Sequence, residues 1–180
     1  MRIVCIADTH GQHDKIRLPI GDLLIVAGDL TIFGNVEKFG SFGRWLRSVV
    51  TQFPLGAIVI AGNHDLGLDP AKSNMWRLNE LFLTSIPNVR YLNDSGTTIN
   101  GIKFWGSPIT PFFYNWAFNR HPEEIASHWA LIPKDCNCLI THGPPKGYRD
   151  AGLGCGRLKE VVENLPDLRM HVFGHIHPPA

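Results

Sequence analysis

The sequence lacks an excess of charge of either sign. Its 17 Lys and Arg residues nearly balance 16 Asp and Glu residues, so the formal net charge at pH 7 is +1. A chain that binds long nucleic acid usually carries a basic field. We therefore expect no long nucleic acid among its partners.

Long apolar segments are also missing. No uninterrupted apolar run approaches the ~18 residues typical of a membrane-spanning helix. The N-terminal segment MRIVCIADTH reaches Asp8 too soon to contain the apolar core of a signal peptide. The sequence thus predicts a cytoplasmic protein without a membrane partner.

Cysteines are few and unsuitably spaced for structural crosslinks. The middle two of the four form CNC rather than C-x-x-C, and no matching pair follows, which argues against a zinc ribbon or a disulfide framework. With 180 residues, of which 44% are hydrophobic, the chain suits one sizeable core. We predict a single domain over residues 1–180.

Short apolar runs are abundant, and a polar cluster follows each of them. Near-continuous Val, Ile and Leu runs are typical of strands buried on both faces of an α/β sheet. The five candidate strands occupy residues 2–10, 22–30, 56–65, 136–143 and 169–177.

Helical and hairpin patterns fill the intervals between these strands. Apolar spacings of three and four predict helices over Val36 to Val50, Met75 to Phe82, Pro122 to the residue before Pro133, and Leu158 to Leu165. Residues 89–106 alternate in polarity and contain two turn signals, Asn93-Asp94 and Asn100-Gly101. This segment predicts a meander of three short strands.

Metal-binding side chains collect at the C-terminal ends of the five strands, where α/β sheets form their ligand crevices. They are Asp8, His10, Asp29, Asn63, His64, Asp65, His142, His175 and His177. Mixed His, Asp and Asn donors suit borderline divalent ions such as Mn, Fe, Zn or Co. Because the donors are too many for one tetrahedral ion, we expect two.

Five blocks in this order, each after an apolar strand, resemble the signature of the calcineurin-like metallophosphoesterases. The blocks are DTH, GD, GNHD, THGPP and GHIH. The stretches IVIAGNHDL, FWGSPITPFFYNWAFN, LITHGPPKGYRD and HVFGHIH resemble most closely the small metallophosphoesterase-domain proteins called UPF0046. The resemblance implies an α/β fold in which two mixed β-sheets form a sandwich flanked by helices.

The same resemblance implies a dinuclear centre, with manganese favoured. Asp8, His10 and His177 would hold one ion, Asn63, His142 and His175 would hold the other, and Asp29 would bridge the two. A hydroxide between the ions would attack the phosphorus in line. His64 would protonate the leaving oxygen, and Asp65 would orient the His64 ring.

The substrate is less sharply indicated than the metal site. Residues 107–121 are rich in aromatics, and Trp116 among them is a candidate platform for a nucleobase, although a wedge that fills the space between helices and sheet is the favoured interpretation of this stretch. Lys146 and Arg149 are candidate phosphate contacts. The leading interpretation is a phosphodiesterase acting on small nucleotides, including cyclic ones. The alternatives are a phosphomonoesterase with the same metals and a weakly active nucleotide-binding regulator.

The segment after GHIH differs from the family pattern. Related chains continue into further strands, whereas this sequence stops after Pro178, Pro179 and Ala180. Two explanations remain open: the chain is shortened, or a partner subunit covers the exposed sheet edge. The second explanation predicts a homo-oligomer.

Overall fold

The computed structural model describes residues 1–34 and 36–177 and contains ten strands and four helices in that range. The strands are β1 (Ile3–Ile6), β2 (Leu23–Ala27), β3 (Ala57–Ile60), β4 (Val89–Tyr91), β5 (Ser95–Ile99), β6 (Ile102–Ser107), β7 (Thr110–Pro111), β8 (Asn119–Arg120), β9 (Cys138–Thr141) and β10 (Met170–Val172). The helices are α1 (Val36–Val49), α2 (Trp76–Thr84), α3 (Pro122–Trp129) and α4 (Gly156–Val162).

The strands form two four-stranded sheets and one short ladder. The first sheet has the order β1-β2-β3-β4 and is parallel throughout. The second has the order β10-β9-β6-β5, in which only β5 runs antiparallel to its neighbour. The predicted α/β sandwich is therefore confirmed, with one parallel and one mixed sheet. β7 and β8 pair separately in parallel.

Alternate residues of each central strand serve two different cores. In β2, Leu23 and Ile25 pack in a cluster with Phe104 of β6 and Ile140 of β9, which fills the space between the sheets. Leu24 belongs instead to the cluster that includes the buried residues of α1. Because both faces of the strand are covered, the whole run Leu23–Ala27 is apolar and fully buried.

The predicted meander over residues 89–106 is wrong in its pairing. β4 adds to the first sheet beside β3, whereas β5 and β6 form a hairpin in the second sheet. The hairpin turn is the predicted Asn100-Gly101, where both residues have positive φ angles of 50° and 76°. The other turn signal, Asn93-Asp94, marks the point where the chain changes sheets.

The four predicted helices are present, but the apolar face predicted for α2 is wrong. Leu78 and Leu81 are each 57% exposed, and Asn79 and Leu83 are buried instead. None of the helices in the described ranges has the length and apolar character needed to cross a bilayer. Residues 178–180, on which the prediction of an exposed sheet edge depends, lie outside the described part of the chain.

Candidate metal centre

The candidate ligands lie where strands of both sheets end. The first sheet supplies Asp8 and His10 after β1, Asp29 after β2 and Asn63 after β3, and the second supplies His142 after β9 and His175 and His177 after β10. The parallel strands of both sheets therefore end at one edge of the sandwich. The structure brings together all seven predicted ligands, whose roles in binding remain predictions.

Asp8, His10 and His177 form one group. One potential ligand atom from each lies within 4.8 Å of the others. Nε2 of His177 is 3.6 Å from Oδ1 of Asp8. The backbone N–H of His175 donates to both oxygens of Asp8, at 2.9 and 3.0 Å, and so fixes this carboxylate against the loop that carries the last histidines.

Asp29 lies between this group and a second one formed with His142 and His175. Its Oδ2 is 3.7 Å from Nε2 of His10, and its Oδ1 is 3.3 Å from Nε2 of His142. One carboxylate thus faces imidazoles from both groups. This is the position that a bridging ligand requires.

The protons on His142 test whether a cation fits the second group. Nδ1 lies 2.9 Å from the carbonyl oxygen of Ala27, which can only accept, so Nδ1 carries the proton of the neutral ring. Nε2 then presents its lone pair to Oδ1 of Asn63 at 3.0 Å and to Asp29. Three acceptors converge on one buried point, and a positive charge there would satisfy all of them.

The proximity of His142 and Asp29 shifts the pKa values of both groups. Burial alone would lower the pKa of His142, but the Asp29 carboxylate outweighs it and raises this pKa to about 9. Burial alone would raise the pKa of Asp29, but His142 and the hydrogen bond from the His64 N–H lower it to about 2. Both shifts show that a positive charge is favoured between Nε2 of His142 and the Asp29 carboxylate, which is where a metal ion would be held.

Four of the candidate ligands have left-handed backbone. The φ angles are 53° at Asp8, 45° at His10, 53° at Asp29 and 72° at His175. These turns follow the strands immediately and leave little room: a Cβ at Gly62 would collide with Oδ1 and the backbone nitrogen of Asp29. Glycine at 62 is what allows the loop after β3 to pack directly on this carboxylate.

His64 lies beside the ligands and lines the cleft above them. Its Nδ1 is 2.9 Å from the carbonyl oxygen of Ile32, so the neutral ring donates from Nδ1 and leaves Nε2 free. Its ring centroid is 4.7 Å from that of His10. Because one nitrogen of His64 also lies within 4.8 Å of ligand atoms of His10 and Asp29, position alone does not separate a proton donor from a ligand.

The role predicted for Asp65 is wrong, because this carboxylate does not orient the His64 ring. It is fully buried and accepts hydrogen bonds from the backbone N–H groups of Leu30, Thr31 and Gly62 and from the Thr31 hydroxyl. Asp65 therefore ties the loop after β2 to the loop after β3. Burial, with a contribution from Asp29, raises its pKa to about 7.

A cleft of ≈ 550 Å³ opens over the candidate ligands. Its walls beyond the candidate ligands and His64 are apolar and come from Pro111, Phe112, Phe113, Trp116, Ala151, Leu153 and Ile176. The Trp116 ring lies 4.2 Å from the His64 ring, between centroids. The aromatic stretch therefore contributes to both places: Phe118 is buried in the core and Trp116 lines the cleft, while the role of Trp116 as a nucleobase platform remains a prediction.

The other two predicted substrate contacts are not in this cleft. Lys146 and Arg149 are exposed and do not line it. Their loop turns through Gly147, at φ 89°, and Arg149, at φ 49°, so that Ala151 and Leu153 reach the cleft wall instead. The structure gives no support to phosphate contacts from these two cations.

Sequence reasoning missed one residue that shapes the cleft. Asp69, which is 1% exposed, accepts hydrogen bonds from the backbone N–H groups of Phe118 at 2.7 Å and Ala71 at 2.8 Å. The Ala117 N–H donates to the carbonyl oxygen of Asn63 at 3.1 Å. The Trp116 loop is thus bound on one side to the loop after β3, which carries the candidate ligand Asn63. The only sequence signal was an aspartate four residues after Asp65.

Comparisons with known proteins agree with this geometry. Metallophosphoesterase domain-containing protein 1 of Homo sapiens is 38% identical and covers 98% of this chain, which spans 60% of that protein's length. A 3′,5′-cyclic-nucleotide phosphodiesterase of Nostoc is 22% identical and covers 87% of this chain, against 56% of its own length. One solved crystal structure aligns with a TM-score of 0.70 over 97% of this chain and 84% of its own, and at 14% identity it shows the fold alone.

The family comparison covers nearly the whole sequence. The calcineurin-like phosphoesterase family matches residues 1–179, a range that contains every candidate ligand. Members of this family hydrolyse phosphoesters with divalent metals, which is the chemistry that the converging donors fit. The chain belongs to the calcineurin-like phosphoesterases.

Proposed function

We propose that the protein is a dinuclear phosphodiesterase that hydrolyses small nucleotides, including cyclic ones, with manganese as the favoured metal. The observation that carries the proposal is the position of Asp29. This buried carboxylate faces His10 with one oxygen and His142 with the other, between two groups of potential ligands.

The residues available suit two ions. Asp8, His10 and His177 would hold one, Asn63, His142 and His175 the other, and Asp29 both. When bound, such ions acidify water and offset the charge of the phosphoryl group. The amide of Asn63 adds no negative charge to the second group, which leaves a more positive site for an anionic ester.

His64 supports the departure of the leaving group in this proposal. The Ile32 carbonyl holds Nδ1–H, so a second proton on Nε2 would be presented to the cleft. Donation of that proton to the ester oxygen avoids release of an unprotonated alkoxide. The adjoining Trp116 ring limits the directions from which the ester oxygen can approach.

The shape of the cleft supports a nucleotide rather than a polymer. Its volume of ≈ 550 Å³ lies in the range of small-ligand sites. Trp116 offers a flat apolar surface at which base stacking would contribute ~1–3 kcal/mol. The likeness to the Nostoc cyclic-nucleotide phosphodiesterase points in the same direction.

The test is hydrolysis by metal-stripped protein reloaded separately with Mn, Fe, Zn or Co. We expect cleavage of cyclic nucleotides and bis(4-nitrophenyl) phosphate to return with the metal, at higher kcat/KM than that of 4-nitrophenyl phosphate. Faster turnover of the monoester would replace the phosphodiesterase by a phosphomonoesterase. Nucleotide binding without turnover under any metal would replace it by a regulatory binding protein.

A further inference from the structure

A second polar network lies outside the metal centre and ends on an arginine. Nδ1 of His128 is 2.6 Å from Oδ2 of Asp94, and Nε2 of the same ring is 3.1 Å from Nε of Arg120. Nη1 of Arg120 also donates to the carbonyl oxygen of Asn119 at 2.8 Å. The three side chains come from the start of the β5 hairpin, from α3 and from β8.

The donors and acceptors of this network can be assigned, with Arg120 donating to His128 and His128 donating to Asp94. The guanidinium can only donate, so Nε2 of His128 accepts and its proton lies on Nδ1, directed to the Asp94 carboxylate. Asp94 thereby fixes the tautomer of His128, and the His128 ring and the Asn119 carbonyl together hold two nitrogens of the Arg120 guanidinium group. Arg120 is held in one orientation, although long arginine side chains usually lose considerable entropy when fixed.

Arg120 lies at a cleft and is not part of an ion pair in the described residues. Within residues 1–34 and 36–177, no acidic side chain forms an ion pair with Arg120. Arg120 lines a cleft of ≈ 300 Å³ together with Arg157 and Glu160. Arg157 forms an ion pair with Glu160 at 3.0 Å. Because both side chains are largely exposed, this interaction is weak, and Arg157 can exchange it for another anion. We call this the arginine cleft.

The arginine cleft adjoins the cleft over the metal centre. Pro111 and Leu153 line both. A ligand with its ester at the metal-binding residues can therefore extend past these two side chains without leaving the protein surface. Guanidinium groups bind phosphate through paired donors, which makes a phosphate the best-matched group for the far end.

We propose that the arginine cleft binds a second phosphate of the substrate, distinct from the ester that is cleaved. The inference rests on the proposed function and narrows it, because it assigns the protein a nucleotide with two separate phosphate groups. Arg120 makes the contact, and Asp94 and His128 are positioning residues that direct it.

The test compares adenosine 2′,3′-cyclic phosphate with the same nucleotide carrying a 5′-phosphate, on metal-loaded protein. We expect the 5′-phosphate to lower KM about tenfold or more, the range of a charge-assisted hydrogen bond. In Arg120→Met this advantage disappears, while kcat and KM for the unphosphorylated nucleotide stay unchanged. Arg17→Met, which changes an exposed arginine outside both clefts, keeps the advantage.

A second variant separates orientation from charge. His128→Asn keeps the guanidinium but removes its ring acceptor, so it should raise KM for the phosphorylated nucleotide several-fold without changing kcat. Equal KM values for the two nucleotides in the wild-type protein would overturn the inference, as would an equal loss for both in Arg120→Met.

Calorimetric titration keeps the two proposals distinguishable. If neither nucleotide is hydrolysed, the proposed function fails, yet tighter binding of the phosphorylated one that depends on Arg120 still supports the arginine cleft. Equal binding of both nucleotides, with or without turnover, would reject the proposed second phosphate site but not the proposed phosphodiesterase function.

Discussion

At the scale of single residues, two backbone carbonyl groups determine which ring nitrogen carries the proton in His142 and in His64. Ala27 binds Nδ1 of His142, and Ile32 binds Nδ1 of His64, so both rings offer Nε2 to the centre. The two rings then differ in what Nε2 meets. His142 faces a buried carboxylate, whereas His64 faces the open cleft, so the proposed roles of ligand for His142 and proton donor for His64 can be tested separately.

Asp29→Asn tests the bridging role. The substitution keeps the size of the side chain but removes the charge that lies between the two groups, so we expect loss of both metal content and hydrolysis. Plasma mass spectrometry of the dialysed protein measures the first, and diester turnover the second. Asp14→Asn, at a carboxylate that is 76% exposed, should leave both unchanged. Full metal content in Asp29→Asn would contradict a bridge.

His64→Gln tests the proton donor. We expect both ions to remain and the rate to fall ~100- to 10,000-fold, the usual contribution of general acid catalysis. The loss should be greater for alkyl than for nitrophenyl leaving groups, because a nitrophenolate scarcely needs a proton. Loss of metal, or equal slowing of both ester types, would instead make His64 a ligand or a structural residue.

At the scale of elements, one wall of the cleft is a loop that is hydrogen-bonded to the loop after β3. β7 and β8 are two residues each, and the Trp116 loop between them is held by Asp69 and by the carbonyl of Asn63. The position of Trp116 thus depends on a carboxylate far away in sequence.

Asp69→Asn should loosen this loop without disturbing the metals. Each oxygen of Asp69 accepts from one of the N–H groups of Phe118 and Ala71, whereas an asparagine keeps only one acceptor oxygen, so one of these two donors loses its partner. We expect KM for nucleotides to rise several-fold and amide exchange at Ala117 and Phe118 to accelerate. Metal content should match the wild type, and hydrolysis of small alkyl diesters should change little. Unchanged exchange at both amides would contradict the anchoring role.

The sequence predicted the positions of the strands and helices well, but it predicted the buried face of α2 incorrectly. The apolar runs of β2 and β3 predicted buried strands because both faces of a central strand meet apolar layers. In α2 the same reasoning chose Leu78 and Leu81 for the core, but the helix packs through Leu83 and places the polar Asn79 against the carbonyl of Gly67. A buried hydrogen bond of this kind is invisible to apolar periodicity.

The site was predictable to the extent that its residues adjoin strand ends. Asp8, Asn63 and His142 could be found in this way, because a short motif fixes each relative to its strand. Asp69 could not, since its partner Phe118 is 49 residues away. Arg120 could not either, since the His128 ring that holds it is itself bound to Asp94, 34 residues before His128. Candidate ligands can be found from their position directly after a strand in the sequence. The loops that support them cannot, because those contacts depend on tertiary packing.

For the whole molecule, the candidate ions would link the two sheets of the sandwich. Asp29 belongs to the first sheet and His142 to the second, so ions held by both would bind the folded chain and not the unfolded one. An ion at 100 times its dissociation constant stabilises by about 2.7 kcal/mol. For a chain of this size we expect Tm to rise by roughly 5–10 °C.

Calorimetric melting in increasing Mn, with Asp29→Asn as the comparison, measures this effect. The wild-type Tm should increase with the logarithm of free metal, and the Tm of the variant should stay nearly constant. Equal shifts in the two proteins would place the stabilising ions somewhere other than this centre.

The left-handed backbone at Asp8, His10, Asp29 and His175 has a consequence for how metal enters. The left-handed conformation costs ~1–3 kcal/mol of conformational energy at each such residue. The surrounding fold maintains this conformation before any ion binds. The donors are therefore preorganised, and the entropy of arranging them is lost during folding instead of during capture. Loading should be a fast single-step association whose rate follows metal concentration linearly, with almost no change in the far-ultraviolet circular dichroism of the chain.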